Sequence, residues 1–368
     1  MPQSRIAVTP TAKIDDTADL SRIYTPGVAD DCREVADDPS AARRLTARGN
    51  CVAVVSDGSA VLGLGDIGPL AALPVLEGKA ALYKRFAGID AWPLCLQPRE
   101  VPAMVEAIRA VAPGFGGISL EDVAAPRCFD LEQQLRDSLD VPVFHDDQHG
   151  TAVVVLGALI NALRVTAKKM DDVRIVISGA GAAGTAIVRL LQNAGAASIA
   201  VYDSQGPLHP DRDGLEREKK WLADHTQPGS ADSGLSQGLA DADVFIGVSA
   251  GGLLSGQDVA AMAADAIVFA LANPDPEVDP KVARQHAAVV ATGRSDEPNQ
   301  INNVLAFPGI FRGLLDGGAR DLSLAAQRAA AQAIADAVPG RDLDPRHIVP
   351  DVFDEDLVPA VARAVQEA

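Results

Sequence analysis

The sequence predicts an α/β protein in two parts, a mainly parallel sheet within residues 1–150 and a doubly wound sheet within 151–368 that runs on into a helical tail. Three observations predict it. Short apolar runs alternate with helix-patterned stretches twice along the chain. The second series opens on a strand–glycine–helix junction, RIVISGAGAAG at 174–184, and two runs of the first series each end in a pair of acids. Alternation of this kind builds parallel strands joined by helices, and ligands gather at the carboxyl ends of such strands.

Taken in order, CVAVVSDG (51–58) reads as a buried strand ending in a turn, followed by the glycine-rich VLGLGDIG (61–68). GKAALYKRFAGID (78–90) reads as a helix starting close to Lys79, AWPLCLQ (91–97) as a strand, and PREVPAMVEAIRAVAP (98–113) as a helix opened by proline. FGGISLED (115–122) and DVPVFHDD (140–147) are short strands, and GTAVVVLGALINAL starts the helix into the second part. From about residue 171, VRIVISG, SIAVYD, DVFIGVSA, AIVFALANP and AVVATG supply five strands. The polar, turn-rich stretch 209–234 reads as a helix-bearing surface excursion. LSLAAQRAAAQAIADAVP (322–339) reads as an alanine-rich helix, and the proline-bearing tail is expected to pack back on the body or on a partner subunit.

Composition narrows the function. With 368 residues, 48% of them hydrophobic, the chain has material for two cores. Fifty acidic against 32 basic residues give a net charge of −18, which excludes nucleic acid as a partner and obliges an anionic substrate to find local cations or a metal. The longest apolar stretch, 151–165, falls short of the roughly 20 residues a membrane helix needs and carries Asn161 and Arg164. The N-terminus lacks the apolar core of a signal peptide, and Cys32, Cys51, Cys95 and Cys128 are scattered without a CxxC pair, so free thiols in the cytoplasm are expected.

The junction at 174–184 places Gly179, Gly181 and Gly184 between a strand and a helix beginning near Thr185. Glycines there let the backbone approach a pyrophosphate at the positive end of a helix. Asp203 closes the next strand, where an acid can bond the adenine ribose hydroxyls and repel a 2′-phosphate. The nearest downstream cation is Arg212, so NAD is favoured over NADP.

The stretch VFHDDQHGTA (143–152) poses a choice of metal. His145 and His149 have the i, i+4 spacing of zinc ligands on a helix, whereas Asp146-Asp147 with Glu121-Asp122 would hold a hard cation at one sheet edge. Acidic pairs are also commonly solvated loop residues or helix caps. Lys79 lies among apolar residues, which would disfavour its charge and let it act as a base, although surface lysines are the commoner case. Tyr24 precedes a Thr-Pro-Gly turn that fixes its direction, and alone it reads as a packing residue as readily as an acid.

In this order, YTPGVA, SDGSAVLGLGDIG, EGKAALYKRFAGIDA, LED, VFHDDQHGTA, SGAGAAG, LANP and QINNVLAFPGIFRG resemble the malic enzymes, most closely the short bacterial form, over about residues 20–320. The resemblance implies an N-terminal malic-type domain (1–150) and a Rossmann-like NAD(P)-binding domain with a C-terminal helical tail (151–368). It implies Tyr24 as general acid, Lys79 as general base with Asp146 tuning it, and Glu121, Asp122 and Asp147 as ligands of Mg²⁺ or Mn²⁺. Gly179, Gly181, Ala182, Ala183, Gly184 and Asp203 would hold the dinucleotide, and Asn273, Asn302 and Asn303 would face malate and the nicotinamide ribose. The two histidines are then left to hydrogen bonding or packing around the metal. Larger malic enzymes carry a substrate-binding arginine where this chain has Ala60; Arg22 and Arg127 are candidates to replace it, and Asp66 matches the larger forms.

The activity implied is oxidative decarboxylation of L-malate to pyruvate and CO2 by a cytoplasmic homodimer, with oxaloacetate as a further substrate. Lys79 would deprotonate the C2 hydroxyl as hydride leaves, and Tyr24 would protonate C3 after CO2 departs. The resemblance also implies a chain working without the acyltransferase-like extension of some bacterial relatives. Two rival readings are a malolactic enzyme, which retains the dinucleotide and releases lactate, and a catalytically silent NAD-binding sensor.

Overall fold

The computed structural model describes residues 4–61, 63–97, 100–227 and 234–368. Four parallel strands form the first sheet: β1 (Cys51–Ser56), β2 (Asp90–Cys95), β3 (Gly117–Leu120) and β4 (Val143–His145), in the order β2-β1-β3-β4. β1 is buried from its second residue onward and β3 throughout, which is why both read as continuous apolar runs instead of alternating ones. Leu120 pairs with His145, so Glu121-Asp122 and Asp146-Asp147 leave adjacent strands at the same edge, as the sequence predicts.

The second sheet comprises β5 (Arg174–Ser178), β6 (Ser198–Asp203), β7 (Gly206–Pro207), β8 (Val244–Gly247), β9 (Ile267–Ala270) and β10 (Val289–Thr292), in the order β10-β9-β8-β5-β6-β7. All five predicted strands are present and parallel, and β7 is a two-residue antiparallel return against β6. Winding reverses between β5 and β8, which opens a crevice at their carboxyl ends. The glycine turn sits there. A Cβ on Gly179, whose φ is +120°, would lie 2.7 Å from the Val248 carbonyl, and one on Gly184 would lie 1.8 Å from the Gly179 carbonyl. Only glycines allow so close a helix–strand junction.

Three helices start earlier than the sequence suggests. The helix carrying Lys79 spans Pro69–Ala87, not 78–90; Pro69 occupies its first turn, and Gly88 at φ +66° closes it. Pro74 and Gly78 interrupt the sequence pattern, but Ala72, Leu76, Lys79, Ala80 and Tyr83 fall on one buried stripe at helical spacing, and that burial carries the helix past both breakers. The helix of the second sheet's glycine turn spans Ala182–Asn193, beginning three residues before Thr185.

Between β4 and the helix Thr151–Thr166, residues Asp146–Gly150 form a π-helical turn, so winding begins directly after the strand. Residues 146–166 thereby make a 21-residue run long and apolar enough to cross a bilayer, longer than the stretch 151–165 implies. Two-thirds of its most apolar window is buried inside the protein, where it serves as a core helix. Its polar Asn161 donates to the carbonyls of Ala335 and Ile348 at 2.9 Å each, which removes the penalty of burying an amide.

The predicted 322–339 helix spans Leu324–Asp336, with the Ser323 hydroxyl capping the Ala326 N–H. The tail packs back on the body: a Cβ on Gly309 would lie 2.7 Å from Val361, and one on Gly313 would lie 2.6 Å from the Ala362 carbonyl. The excursion after β7 contains the helix Arg217–His225 as expected; its residues 228–233, and Pro98 and Arg99 of the proline-opened helix, lie outside the described residues. That helix is described over Val101–Val111, with proline in its first turn.

The helix Phe307–Gly317 locks the late chain onto the early sheet. Phe311 is fully buried and meets Tyr83 and Phe144 edge-on, with ring centroids 5.5 and 5.6 Å away. Phe307 meets Tyr83 at 4.7 Å. Phe311→Ala is expected to cost about 3–5 kcal/mol through lost burial and the cavity left. Urea unfolding followed by circular dichroism measures it, and a cost below about 1 kcal/mol would show that the aromatic cluster is dispensable.

Candidate active site

Lys79 sits in the middle of its helix on the buried stripe, 7% exposed, and its ammonium pairs with the carboxylates of Asp146 and Glu121. The Phe307 ring covers it, its centroid 4.3 Å from Nζ. Burial works against the charge, but Asp146 and then Glu121 overcome it and hold the lysine protonated well above its ordinary range. The magnitudes agree with this outcome. Burying one ammonium costs several kcal/mol. Two unit charges about 4 Å apart attract by about 4 kcal/mol at an effective dielectric of about 20, and here there are two carboxylates. The apolar walls expected from the sequence therefore do not set its charge; acids delivered from β3 and β4 do.

Glu121, Asp122 and Asp147 converge, with one carboxylate oxygen of each within 4.8 Å of the others. Burial raises the Glu121 carboxyl well above the usual range, with Lys79 opposing. Asp122 adopts φ +54°, a left-handed conformation that aspartate tolerates better than most residues, and its N–H donates to Asp147 Oδ2 at 2.9 Å. This all-oxygen set suits a hard cation: ligand oxygens around Mg²⁺ or Mn²⁺ stand up to about 4–5 Å apart. A carboxylate triad held this close without a counter-charge among its own members is costly, which is the physical case for a metal.

Around the triad, His145 is fully buried, with Nδ1 2.9 Å from Gln148 Nε2 and Nε2 3.3 Å from Asp147 Oδ2. His149 Nε2 lies 2.7 Å from Glu132 Oε1. Both imidazoles are engaged, and they point at different partners because a π-helical turn, not an α-helix, separates them. Burial opposes charge on Asp147, but the imidazole of His145 beside it keeps its carboxyl below the usual range. Gly150 makes room for the pair on the lysine: a Cβ there would fall 1.8 Å from Asp146 Oδ1.

Asn303 reaches the same place from the second sheet's side. Its amide donates to Asp146 Oδ2 at 3.1 Å and exchanges hydrogen bonds with Thr151 Oγ1. Asn302 uses its side-chain oxygen to cap the Val304 N–H at 3.0 Å. Asn273 is exposed, and its carbonyl lies 2.4 Å from where a Cβ on Gly63 would stand, so the VLGLG loop meets the LANP loop there.

Three predicted residues are placed differently. Tyr24 ends the helix Thr17–Ile23, is 67% exposed, and its hydroxyl makes no hydrogen bond among the described residues, so within one chain it is not joined to Lys79. Arg22 is on the same surface helix, paired with Asp19 at 2.8 Å. Arg127 instead starts the helix Arg127–Ser138 and meets the fully buried Asp57 at 2.6 Å, beyond the end of β1. The Ala60 N–H donates to the Asp122 carbonyl at 3.0 Å, fastening that loop to the acidic set. Asp66 is exposed.

Asp203 closes β6 as predicted but is not a bare acid: Arg212 and Lys219 both contact it at 2.9 Å. Sequence reading also missed Glu132 and Glu277. Glu132 is buried beside His149 and Gln148, and its signal was an acid inside the stripe Cys128, Leu131, Leu135. Glu277 is fully buried and accepts from Ser249 N–H and Ala272 N–H at 3.1 Å each, bracing the loops after β8 and β9.

Residues 3–101 match the family described as malic enzyme, N-terminal domain, and residues 148–368 match malic enzyme, NAD binding domain. The NAD-dependent malic enzyme of Geobacillus stearothermophilus is 53% identical over 95% of this chain and 73% of its own length. The bifunctional malic/malolactic enzyme of Bacillus subtilis is 47% identical over 100% of this chain and 90% of its own. The crystal structure of the NAD-dependent malic enzyme from Thermotoga maritima superposes with a TM-score of 0.94 at 44% identity, covering 99% of this chain and 96% of that one. With both halves matched and the triad, lysine and glycine turn standing where the motifs put them, the chain belongs to the malic enzyme family.

Proposed function

We propose that the protein oxidises L-malate and decarboxylates it to pyruvate and CO2, passing hydride to NAD or NADP with Mg²⁺ or Mn²⁺ at Glu121, Asp122 and Asp147, and that it also decarboxylates oxaloacetate. The observation that carries this reading is the convergence of those three acids beside a buried, doubly paired lysine. A divalent cation held by those oxygens would supply Lewis acidity toward the substrate and take up carboxylate charge, and a dinucleotide held against Gly179, Gly181, Ala182, Ala183 and Gly184 would supply the hydride acceptor. The division of labour follows the two sheets, residues 1–150 carrying the acid–base and metal groups and 151–368 the dinucleotide.

Lys79 takes the proton of the C2 hydroxyl, and Asp146, steadied by Asn303, keeps its ammonium aimed at one place. Lys79 is protonated beside its two carboxylates, so it must first release that proton to solvent before it can accept one, which a cation drawing on the charge of Glu121 would favour. Asn273 and Asn302 face the substrate and the nicotinamide ribose. Tyr24 protonates C3 of the enolate, an easy transfer because an enolate carbon is a strong base. The exposed Val8, Ile14, Leu20 and Tyr24 lie on an N-terminal segment that, among the described residues, contributes nothing to the apolar core before Ala41, and a homodimer in the cytoplasm is the assembly we assign to cover it.

Malate, Mn²⁺ and either dinucleotide are expected to yield pyruvate and reduced coenzyme. Lactate without net reduction would establish the malolactic reaction, the activity in the name of the Bacillus subtilis relative, and no product at all would leave a silent sensor. Lys79→Ala is expected to lower kcat by about 10²–10⁴-fold in a chain that circular dichroism still shows as folded, although its melting temperature falls; most of the activity surviving would remove it as the base. Tyr24→Phe should depress pyruvate formation more than reduction of added oxaloacetate, and equal losses in both would sink a role confined to protonation. Asp147→Asn should weaken Mn²⁺ binding severely in a calorimetric titration while His149→Ala leaves it unchanged; the reverse order would restore a histidine-bound metal.

A further inference from the structure

We propose that Glu132 is a positioning residue for the metal: acting through Gln148, it fixes which nitrogen of His145 carries the proton and so aims an N–H at the Asp147 carboxylate. This rests on the reading of Glu121, Asp122 and Asp147 as a divalent-cation site. Glu132 lies on the buried stripe of the helix Arg127–Ser138 and is 5% exposed. Burial opposes its charge, but His149 beside it holds the carboxyl below the usual range, so it is an ionised acceptor with no proton to give. Its Oε1 lies 2.7 Å from His149 Nε2, and its Oε2 accepts from Gln148 Nε2 at 3.0 Å.

The second contact decides which way the Gln148 amide is turned. An amide oxygen facing the buried carboxylate would set acceptor against acceptor, so the nitrogen must face Glu132. The same nitrogen lies 2.9 Å from His145 Nδ1. It has two hydrogens and accepts nothing; one hydrogen goes to Glu132 and the other to Nδ1, which must receive it. A ring nitrogen that receives a hydrogen bond carries no proton, so the proton of His145 is on Nε2.

Nε2 faces Asp147 Oδ2 at 3.3 Å, and the Asp122 N–H reaches the same oxygen at 2.9 Å. Among the described residues, protein N–H groups approach Asp147 at Oδ2 alone, which leaves its other oxygen for a cation. With the proton on Nδ1 instead, a lone pair would face the carboxylate and push it out of line with Glu121 and Asp122. Glu132, Gln148 and His145 are all buried, so the order of donors and acceptors is fixed by the protein. His149 occupies the other oxygen of Glu132 and stands outside this path; removing it leaves the contact with Gln148 in place.

The test reads both the ring and the metal in the full chain. With ¹⁵N-labelled histidine, NMR of the unmodified protein is expected to show His145 protonated on Nε2 and bare on Nδ1, its signals identified among the six histidines by their loss in His145→Asn. A proton on Nδ1 would overturn the proposal whether or not any variant at 132 folds. Glu132→Met and Gln148→Met keep the length and lose the polar atoms; each should weaken Mn²⁺ binding about 10–100-fold by calorimetry and spread the His145 proton over both nitrogens. Glu132→Gln keeps an acceptor for Gln148 and should bind Mn²⁺ as the unmodified chain does. Unchanged Mn²⁺ affinity in both methionine variants, with melting curves showing them folded, would overturn the proposal, and so would an equal loss in Glu132→Gln. If the unmodified chain binds no Mn²⁺, the metal reading itself fails and the inference with it, a result distinct from a misplaced proton on His145.

Discussion

A lysine on the buried stripe of a helix is the constraint on which the first half of the molecule depends. Lys79 cannot face water without rotating Leu76 and Tyr83 out of the core, and it cannot stay buried alone. Its two partners arrive from the ends of adjacent parallel strands, which fixes the register of β3 against β4 and the direction in which both strands leave the sheet. The acids that satisfy the lysine are neighbours of those that converge on one another, so one ion cluster organises both the fold's edge and its chemistry. Removing any member leaves charge stranded in a dry site, where the penalty far exceeds the small net worth of a surface ion pair.

Much of this is legible in the sequence, and the reasons it stops are physical. The strands read out well because parallel strands buried on both faces leave unbroken apolar runs, as CVAVVS and RIVIS do. Helix starts read poorly where burial overrides local breakers, as at Pro74 and Gly78, or where winding begins with a π-helical turn, as at Asp146. The motif residues were found by type, but the charge on Lys79 was not, because it depends on acids 42 and 67 positions away in the chain. Asp203 fails in the same manner: it reads as an isolated acid until the chain folds back and sets two cations on it.

The second sheet shows how buried acids serve as braces. Glu277 is buried like Glu121 but carries no lysine; it is held by two backbone N–H groups, and burial still raises its carboxyl. Its effect is to tie the loop after β8 to the loop after β9, beside the crevice opened by the reversal of winding. Asn303 performs the matching task between halves, joining Asp146 to the helix that leads away from the first sheet. Rigid loops on both sides of a crevice keep reacting groups at fixed separation, which is what orientation contributes to rate.

The packing of Phe307 and Phe311 on Tyr83 has a consequence for biosynthesis. The core of the first sheet is completed by side chains that lie 224 and 228 positions later in the chain. At about 5–20 residues per second, a ribosome needs roughly ten to forty-five seconds to make that interval. During that time Tyr83 and the apolar stripe beneath it wait unsealed while the whole second sheet emerges. The core of the early half is therefore sealed only once nearly the whole chain has been made.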